Sequence, residues 1–158
     1  MLNNSVNAVE VLEMARDIEK RGRDFYLEQA SNTGDKNLAA LFNKLADDEK
    51  DHYERFGELL NKLQSEIKEE AVYVYEPEVS AYLRSLVEFS VFPEGDSVEI
   101  KSIETALSFA IRAEKDSILF YQELLIYNSG ESAGVIKELI KEEKKHLLTL
   151  LEYRNKIK

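Results

Sequence analysis

Apolar residues recur along most of this chain at alternating steps of four and three, the spacing that lines one face of an α-helix. From about Asn7 to Gln29 the stripe runs Ala8, Leu12, Ala15, Glu19, Gly22, Tyr26 and Gln29, widened by Val11, Ile18 and Phe25. Asn32-Thr33-Gly34-Asp35 supplies a turn and a helix N-cap. A second helix is expected to about Glu69, with Leu38, Leu41, Phe42, Leu45, Glu49, His52, Phe56, Leu59 and Leu63 on one face. Residues 71 to 100 are the least regular: AVYVYEPE reads as extended because Pro77 disfavours helix just before it, a short helix is expected around Ser80 to Glu88, and FPEGDS reads as a loop. A third helix follows from about Ser102 to Tyr127, carrying Ile103, Leu107, Ala110, Glu114, Ser117, Tyr121 and Leu124 in register. After Asn128-Ser129-Gly130, a fourth uses Ser132, Val135, Ile136, Leu139, Glu143, His146, Leu150, Tyr153 and Ile157. Short, long and short connections describe two helix pairs joined by a crossover that can run the length of a bundle. The expected fold is a single all-α domain over residues 1–158, a four-helix bundle running up-down-down-up with its long crossover between helices two and three.

Composition narrows the chemistry. Only six Gly and two Pro suit long helices better than a turn-rich β fold. A net charge of −10 argues against nucleic acid or an anionic membrane as partner. With no cysteine, disulfides, thiolate catalysis, Cys-ligated zinc and iron–sulfur clusters are excluded. No secretion signal and no run of about 18 apolar residues is visible, so a cytoplasmic, soluble protein is expected.

The two halves repeat. Shifting helix one by 95 positions lays Leu12 on Leu107, Ala15 on Ala110, Glu19 on Glu114 and Tyr26 on Tyr121; shifting helix two by 94 lays Leu45 on Leu139, Glu49 on Glu143 and His52 on His146. The repeat is polar where a core should be apolar. Both histidines of the chain sit three places after a glutamate, each pair inside an apolar stripe. A single Glu-x-x-His on an exposed helix face is ordinarily a solvated pair. Two of them in core stripes, with Glu19 and Glu114 at matched depths, would bury four carboxylates, and ionised carboxylates in a core need neutralising. Two divalent cations match four glutamates in charge. The i, i+3 spacing lets one helix offer a carboxylate and an imidazole on the same side. Six N/O donors on four helices, as one Glu from each of two and Glu-x-x-His from each of the others, is the arrangement of dinuclear carboxylate bundles.

On these residues the chain resembles the rubrerythrin and bacterioferritin branch of the ferritin-like di-iron carboxylate family over essentially its whole length. The resemblance implies two iron ions, with manganese or zinc as alternatives. It implies bridging by Glu49 and Glu143, with Glu19 and His52 closing one end and Glu114 and His146 the other. It also implies that Tyr26 and Tyr121 hydrogen-bond ligating glutamates. The activity implied is that of an oxidoreductase reacting with hydrogen peroxide or dioxygen. The chain departs from the rubrerythrin pattern at Ser117, where a further glutamate is expected, and in lacking the Cys-rich rubredoxin module, so an external electron donor protein is implied. It also ends without the fifth short helix of ferritins, which makes iron storage the weaker expectation. A ferroxidase or iron-handling protein is the alternative, and a structural bundle with an empty or zinc-filled site the second. Asp48, Asp51 and Glu142, beside the motif residues, are expected as surface charges, with support behind a histidine as the lesser alternative. Tyr73, Tyr75 and Tyr82 are expected to pin the crossover onto the bundle, their exposure pointing instead to a homodimer interface.

Overall fold

The computed structural model describes residues 5–66, 73–89 and 102–158. They form five helices: α1 (Ala8–Asn32), α2 (Lys36–Glu66), α3 (Pro77–Phe89), α4 (Ile103–Ile126) and α5 (Gly130–Lys156). The side chain of Asn7 starts α1 by accepting from the Glu10 amide at 2.9 Å. Asp35 Oδ1 accepts from the amides of Asn37 and Leu38 at 2.9 and 3.1 Å, and Ser102 accepts from that of Thr105 at 3.1 Å, so α2 and α4 begin on side chains that satisfy otherwise orphaned amides. Gly130, with φ of 60°, makes the turn into α5, a conformation that only glycine takes without cost.

The order of the helices in space follows from their contacts. Asn7 and Val74 form an isolated antiparallel bridge, which puts the chain after α2 back at the start of α1. Ser102 and Ile103 lie with Gln29, Thr33 and Leu38 at the opposite end, so the crossover traverses the bundle and α4 runs parallel to α2. The Tyr153 hydroxyl donates to Asp35 at 2.9 Å, which returns the end of α5 to the start of α2. The up-down-down-up order is therefore present. The short crossover helix is longer than the periodicity suggests, and Pro77 opens it rather than preceding it, in keeping with the tolerance of proline in a first turn. The end of the second expected helix beyond Glu66, and the FPEGDS loop, lie outside the described residues.

Tyr75 is buried and its ring lies 4.4 Å from that of Tyr127, so it does pin the segment before α3. Tyr73 and Tyr82 remain exposed. Ile103 and Ile157, at the outer ends of their stripes, are also exposed. The core itself is split. One apolar cluster gathers Val11, Leu12, Ile18, Phe56, Tyr121, Ile136 and Leu139, and the other Tyr26, Phe42, Leu45, Leu107, Ala110 and Leu150. Each of the four long helices passes from one cluster to the other through a buried polar residue: Glu19, Glu49 and His52, Glu114, or Glu143 and His146. No described helix is long and apolar enough to cross a membrane.

Candidate metal centre

The six ligand candidates converge between the two apolar layers, and each is no more than 5% exposed. Their side-chain donor atoms fall into two groups, Glu19, Glu49, His52 and Glu143, and Glu49, Glu114, Glu143 and His146. Glu49 and Glu143 belong to both. Glu143 turns Oε1 to within 2.6 Å of His52 Nδ1 and Oε2 to 3.2 Å from His146 Nδ1. Glu49 likewise sets Oε2 3.8 Å from His52 Nδ1 and Oε1 3.5 Å from His146 Nδ1. The outer glutamates are each close to one imidazole, with Glu19 Oε2 3.5 Å from His52 Nδ1 and Glu114 Oε1 3.7 Å from His146 Nδ1. The imidazole rings are nearly parallel, their centroids 5.5 Å apart.

These atoms fit metal ions better than they fit each other. Glu19 Oε2, Glu49 Oε1, His52 Nδ1, Glu114 Oε2 and Glu143 Oε1 are buried without a hydrogen-bond partner among the described residues. Buried polar atoms are normally satisfied, so five orphans converging on one place require an explanation. His52 Nδ1 and Glu143 Oε1 are near one another without hydrogen-bond geometry. Donors held about 2.1 Å from a common ion stand roughly 3.0–3.4 Å apart, and the six observed separations scatter around that interval, from 2.6 to 3.8 Å. The set is oxygen and imidazole, which accepts iron, manganese, zinc or cobalt.

The residues behind the donors fix their orientation. The Tyr121 hydroxyl on α4 donates a short hydrogen bond to Glu19 Oε1 on α1. Tyr26 on α1 donates to Glu114 Oε1 on α4 at 2.5 Å. Each tyrosine thus holds the glutamate of the opposite half. The histidines are oriented in the same reciprocal way: with Nδ1 turned inward, His52 Nε2 is 2.6 Å from Glu142 Oε2, and His146 Nε2 is 3.1 Å from Asp48 Oδ2. A carboxylate behind a ligating imidazole fixes its tautomer and increases its basicity. Asp48 and Glu142 are therefore not free surface charges, as the sequence reading has them. Each precedes a motif glutamate by one residue, and in the bundle that position faces the histidine of the partner helix. The signal was in the sequence, because the shift of 94 that matches the motifs also lays Asp48 on Glu142. Asp51 is an exposed charge, paired with Arg55 at 3.0 Å. Ser117 is buried and its hydroxyl donates to the Ala113 carbonyl at 2.9 Å, on its own helix.

Electrostatics in the metal-free protein divide the six groups. Burial, joined by the neighbouring carboxylates, raises Glu49 well above its ordinary value and Glu143 to about 8. Burial also opposes charge on Glu114, but the proximity of Glu143 and His146 and the Tyr26 hydroxyl overcome it and lower that group to about 2; Glu19 is lowered likewise by nearby Glu49 and His52 and by the Tyr121 hydroxyl. Burial disfavours protonation of His52, yet the charge of Glu19 and the proximity of Glu143 raise it to about 11; His146 is raised too, chiefly by Asp48. Glu49 and Glu143 are thus pushed toward the protonated form while Glu19 and Glu114 are held toward the ionised one, and both imidazoles are pushed toward the charged form.

Residues 10–153 match the family model described as rubrerythrin. Among solved structures, one from Thermotoga maritima, named as a ferritin-like diiron-carboxylate protein, is similar with a TM-score of 0.78 and 24% sequence identity, over 98% of this chain and 98% of that chain. No curated protein matches the sequence. A family match across nearly the whole chain, on a bundle whose core converges four glutamates and two histidines, leads to one conclusion: the chain belongs to the rubrerythrin family.

Proposed function

We propose that this protein is an oxidoreductase whose dinuclear iron site reacts with hydrogen peroxide or dioxygen and is re-reduced by a separate electron-donor protein, in the cytoplasm. The observation that supports this most is the pair of overlapping donor groups with their orphaned atoms. Glu49 and Glu143 would bridge two ions, Glu19 with His52 would hold one end, and Glu114 with His146 the other. Iron bound there would supply one-electron redox chemistry. The protein's part is to set the separation, to orient the outer glutamates through Tyr121 and Tyr26, and to keep bulk water out with an apolar layer on either side. With no cysteine in the chain, no rubredoxin-type centre is available internally to deliver electrons. Ser117, with its hydroxyl committed to Ala113, cannot take the place of a seventh carboxylate.

A second reading, in which Fe(II) is itself the substrate of a ferroxidase, is favoured by one feature. A groove of about 380 Å³ between α2 and α5 is lined by Asp48, Asp51, Glu142 and His146 together with Lys44 and Lys145, and its three carboxylates beside the histidine offer a cation a path toward the centre. Mixing the Fe(II)-loaded protein with peroxide or dioxygen, with and without a chemical reductant, separates the readings. Repeated peroxide consumption that requires reductant and disappears in Glu49→Ala supports the oxidoreductase. Oxidation of excess Fe(II) without turnover of reductant supports the ferroxidase, and no optical change at all supports a structural, zinc-holding bundle.

A further inference from the structure

Between α1 and α2 a second cavity, of about 170 Å³, is lined by Glu19, Lys20, Arg23, Lys50 and Tyr53. Its inner wall is a carboxylate of the metal centre, fully buried, with Oε2 lacking a hydrogen-bond partner. Its rim is cationic: Lys20, Arg23 and Lys50 are exposed, and among the described residues none of them forms an ion pair, although the whole chain carries a net charge of −10. Arg16 lies over the ring of Tyr53 at 4.1 Å and adds a further positive charge behind that wall. Four glutamates neutralised by two divalent ions leave nothing inside to cancel these cations. Three cations around one mouth make a locally positive lining in an acidic chain, and a narrow cavity with low-dielectric walls focuses such a field.

Size limits the visitor. At roughly 30 Å³ per water the cavity has room for about five waters, too little for an organic substrate that needs a pocket of about 300 Å³ or more. The internal repeat shows that the mouth belongs to one half. The positions matching Lys20, Arg23, Lys50 and Tyr53 are Lys115, Ile118, Lys144 and Leu147, so the α4/α5 side keeps two lysines and has apolar residues in place of the arginine and the tyrosine. The groove between α2 and α5 differs in lining: it mixes three carboxylates with Lys44 and Lys145, whereas this cavity has three cations around one buried glutamate.

We propose that the cavity between α1 and α2 is an anion port, admitting a small inorganic monoanion of about two to four heavy atoms to the Glu19 side of the metal pair. The proposal rests on the reading of the centre as a metal site and names the class of ligand that reaches it. Azide is a suitable probe, titrated into the Co(II)-loaded protein and followed in the visible spectrum, with cobalt per chain measured in every sample. Three proteins are compared: wild type, Lys20→Glu with Lys50→Glu at the port, and Lys115→Glu with Lys144→Glu at the matched positions of the other half. All these lysines are exposed, and both double variants change the total charge equally. The expected result is unchanged cobalt content in all three, an azide Kd raised about tenfold by the port variant, and a change under about twofold in the matched control. Equal weakening in both variants would reduce the effect to net charge and overturn the port. Cobalt retained with azide affinity indifferent to the port variant would overturn it too. A wild type that binds no cobalt would overturn the metal reading and the port with it.

Discussion

The two ends of the candidate metal centre have the same donor types and different support. At the His52 end the imidazole is completely buried, and its Glu142 partner is in turn held by Arg55 at 2.8 Å, which also pairs with Asp51 at 3.0 Å. At the His146 end the partner is Asp48, held at 2.8 Å by Lys44, whose side chain is 71% exposed, and the imidazole lines the groove between α2 and α5. A half-buried arginine making two ion pairs is restrained more than a solvated lysine making one. The repeat thus copies the donors but not the residues behind them. The lesson is that equivalent ligands need not bind equally: the His146 end should exchange its ion faster, and the His52 end should retain it.

Metal removal should have the largest effect, and it acts on both ends together. Because Glu49, Glu143, His52 and His146 all have their affinity for protons raised by this environment, loading divalent ions should expel protons. Calorimetry of loading in buffers of different ionisation enthalpy measures that release; a value near zero would mean that the donors are not these groups. Stability without metal should fall as pH rises. Glu143 binds its proton more tightly folded, at about 8, than at its ordinary 4.5, so the folded state becomes relatively less favourable throughout that interval. His52, at about 11 against an ordinary 6.5, contributes stability that is full below 6.5 and is lost as pH rises toward 11. Glu114 acts in the opposite sense, its contribution present above 4.5 and lost as pH falls toward 2. Thermal melts of the metal-free protein should therefore show Tm declining from pH 5 to pH 8, whereas the loaded protein should melt higher and vary less.

Substitutions behind the histidines sharpen the contrast between ends. Glu142→Gln should weaken one ion by about 10- to 100-fold, since it removes the charge behind His52 and leaves Arg55 with less compensation. Asp48→Asn should weaken the other by less, toward the lower limit of that range, because its own anchor is exposed. Competition with a chelator, read as two phases of metal loss, distinguishes the ends, and equal effects would remove the asymmetry. The smallest effects should come from Tyr26→Phe and Tyr121→Phe. Each leaves one carboxylate oxygen without its hydroxyl donor and should cost about 1–3 kcal/mol of stability, similar for the two because the contacts are matched.

Helix positions and the convergence of six polar side chains were legible from the sequence for one physical reason: a charged residue inside an apolar stripe is expensive, and four stripes interrupted at matched depth point to a shared remedy. The reciprocal hydrogen bonds were harder to see. A helical stripe shows which face a residue occupies, but not which residue of another helix it meets, so Asp48 and Glu142 looked like solvent-facing neighbours of the motif. The tyrosines were identified by their spacing from Glu19 and Glu114, yet each bonds the glutamate of the other half, a crossing that depends on how α1 and α4 are juxtaposed. The cavity between α1 and α2 was invisible for the same reason. Its cations lie on two helices and read separately as ordinary surface charge.

The most direct test of the two-ion centre is metal per chain after anaerobic loading with Fe(II), comparing wild type with Glu49→Ala plus Glu143→Ala. Both residues belong to both donor groups, so the account predicts close to two irons in the wild type and loss of both in the variant. A wild-type value well below one, or iron content indifferent to the two substitutions, would contradict it.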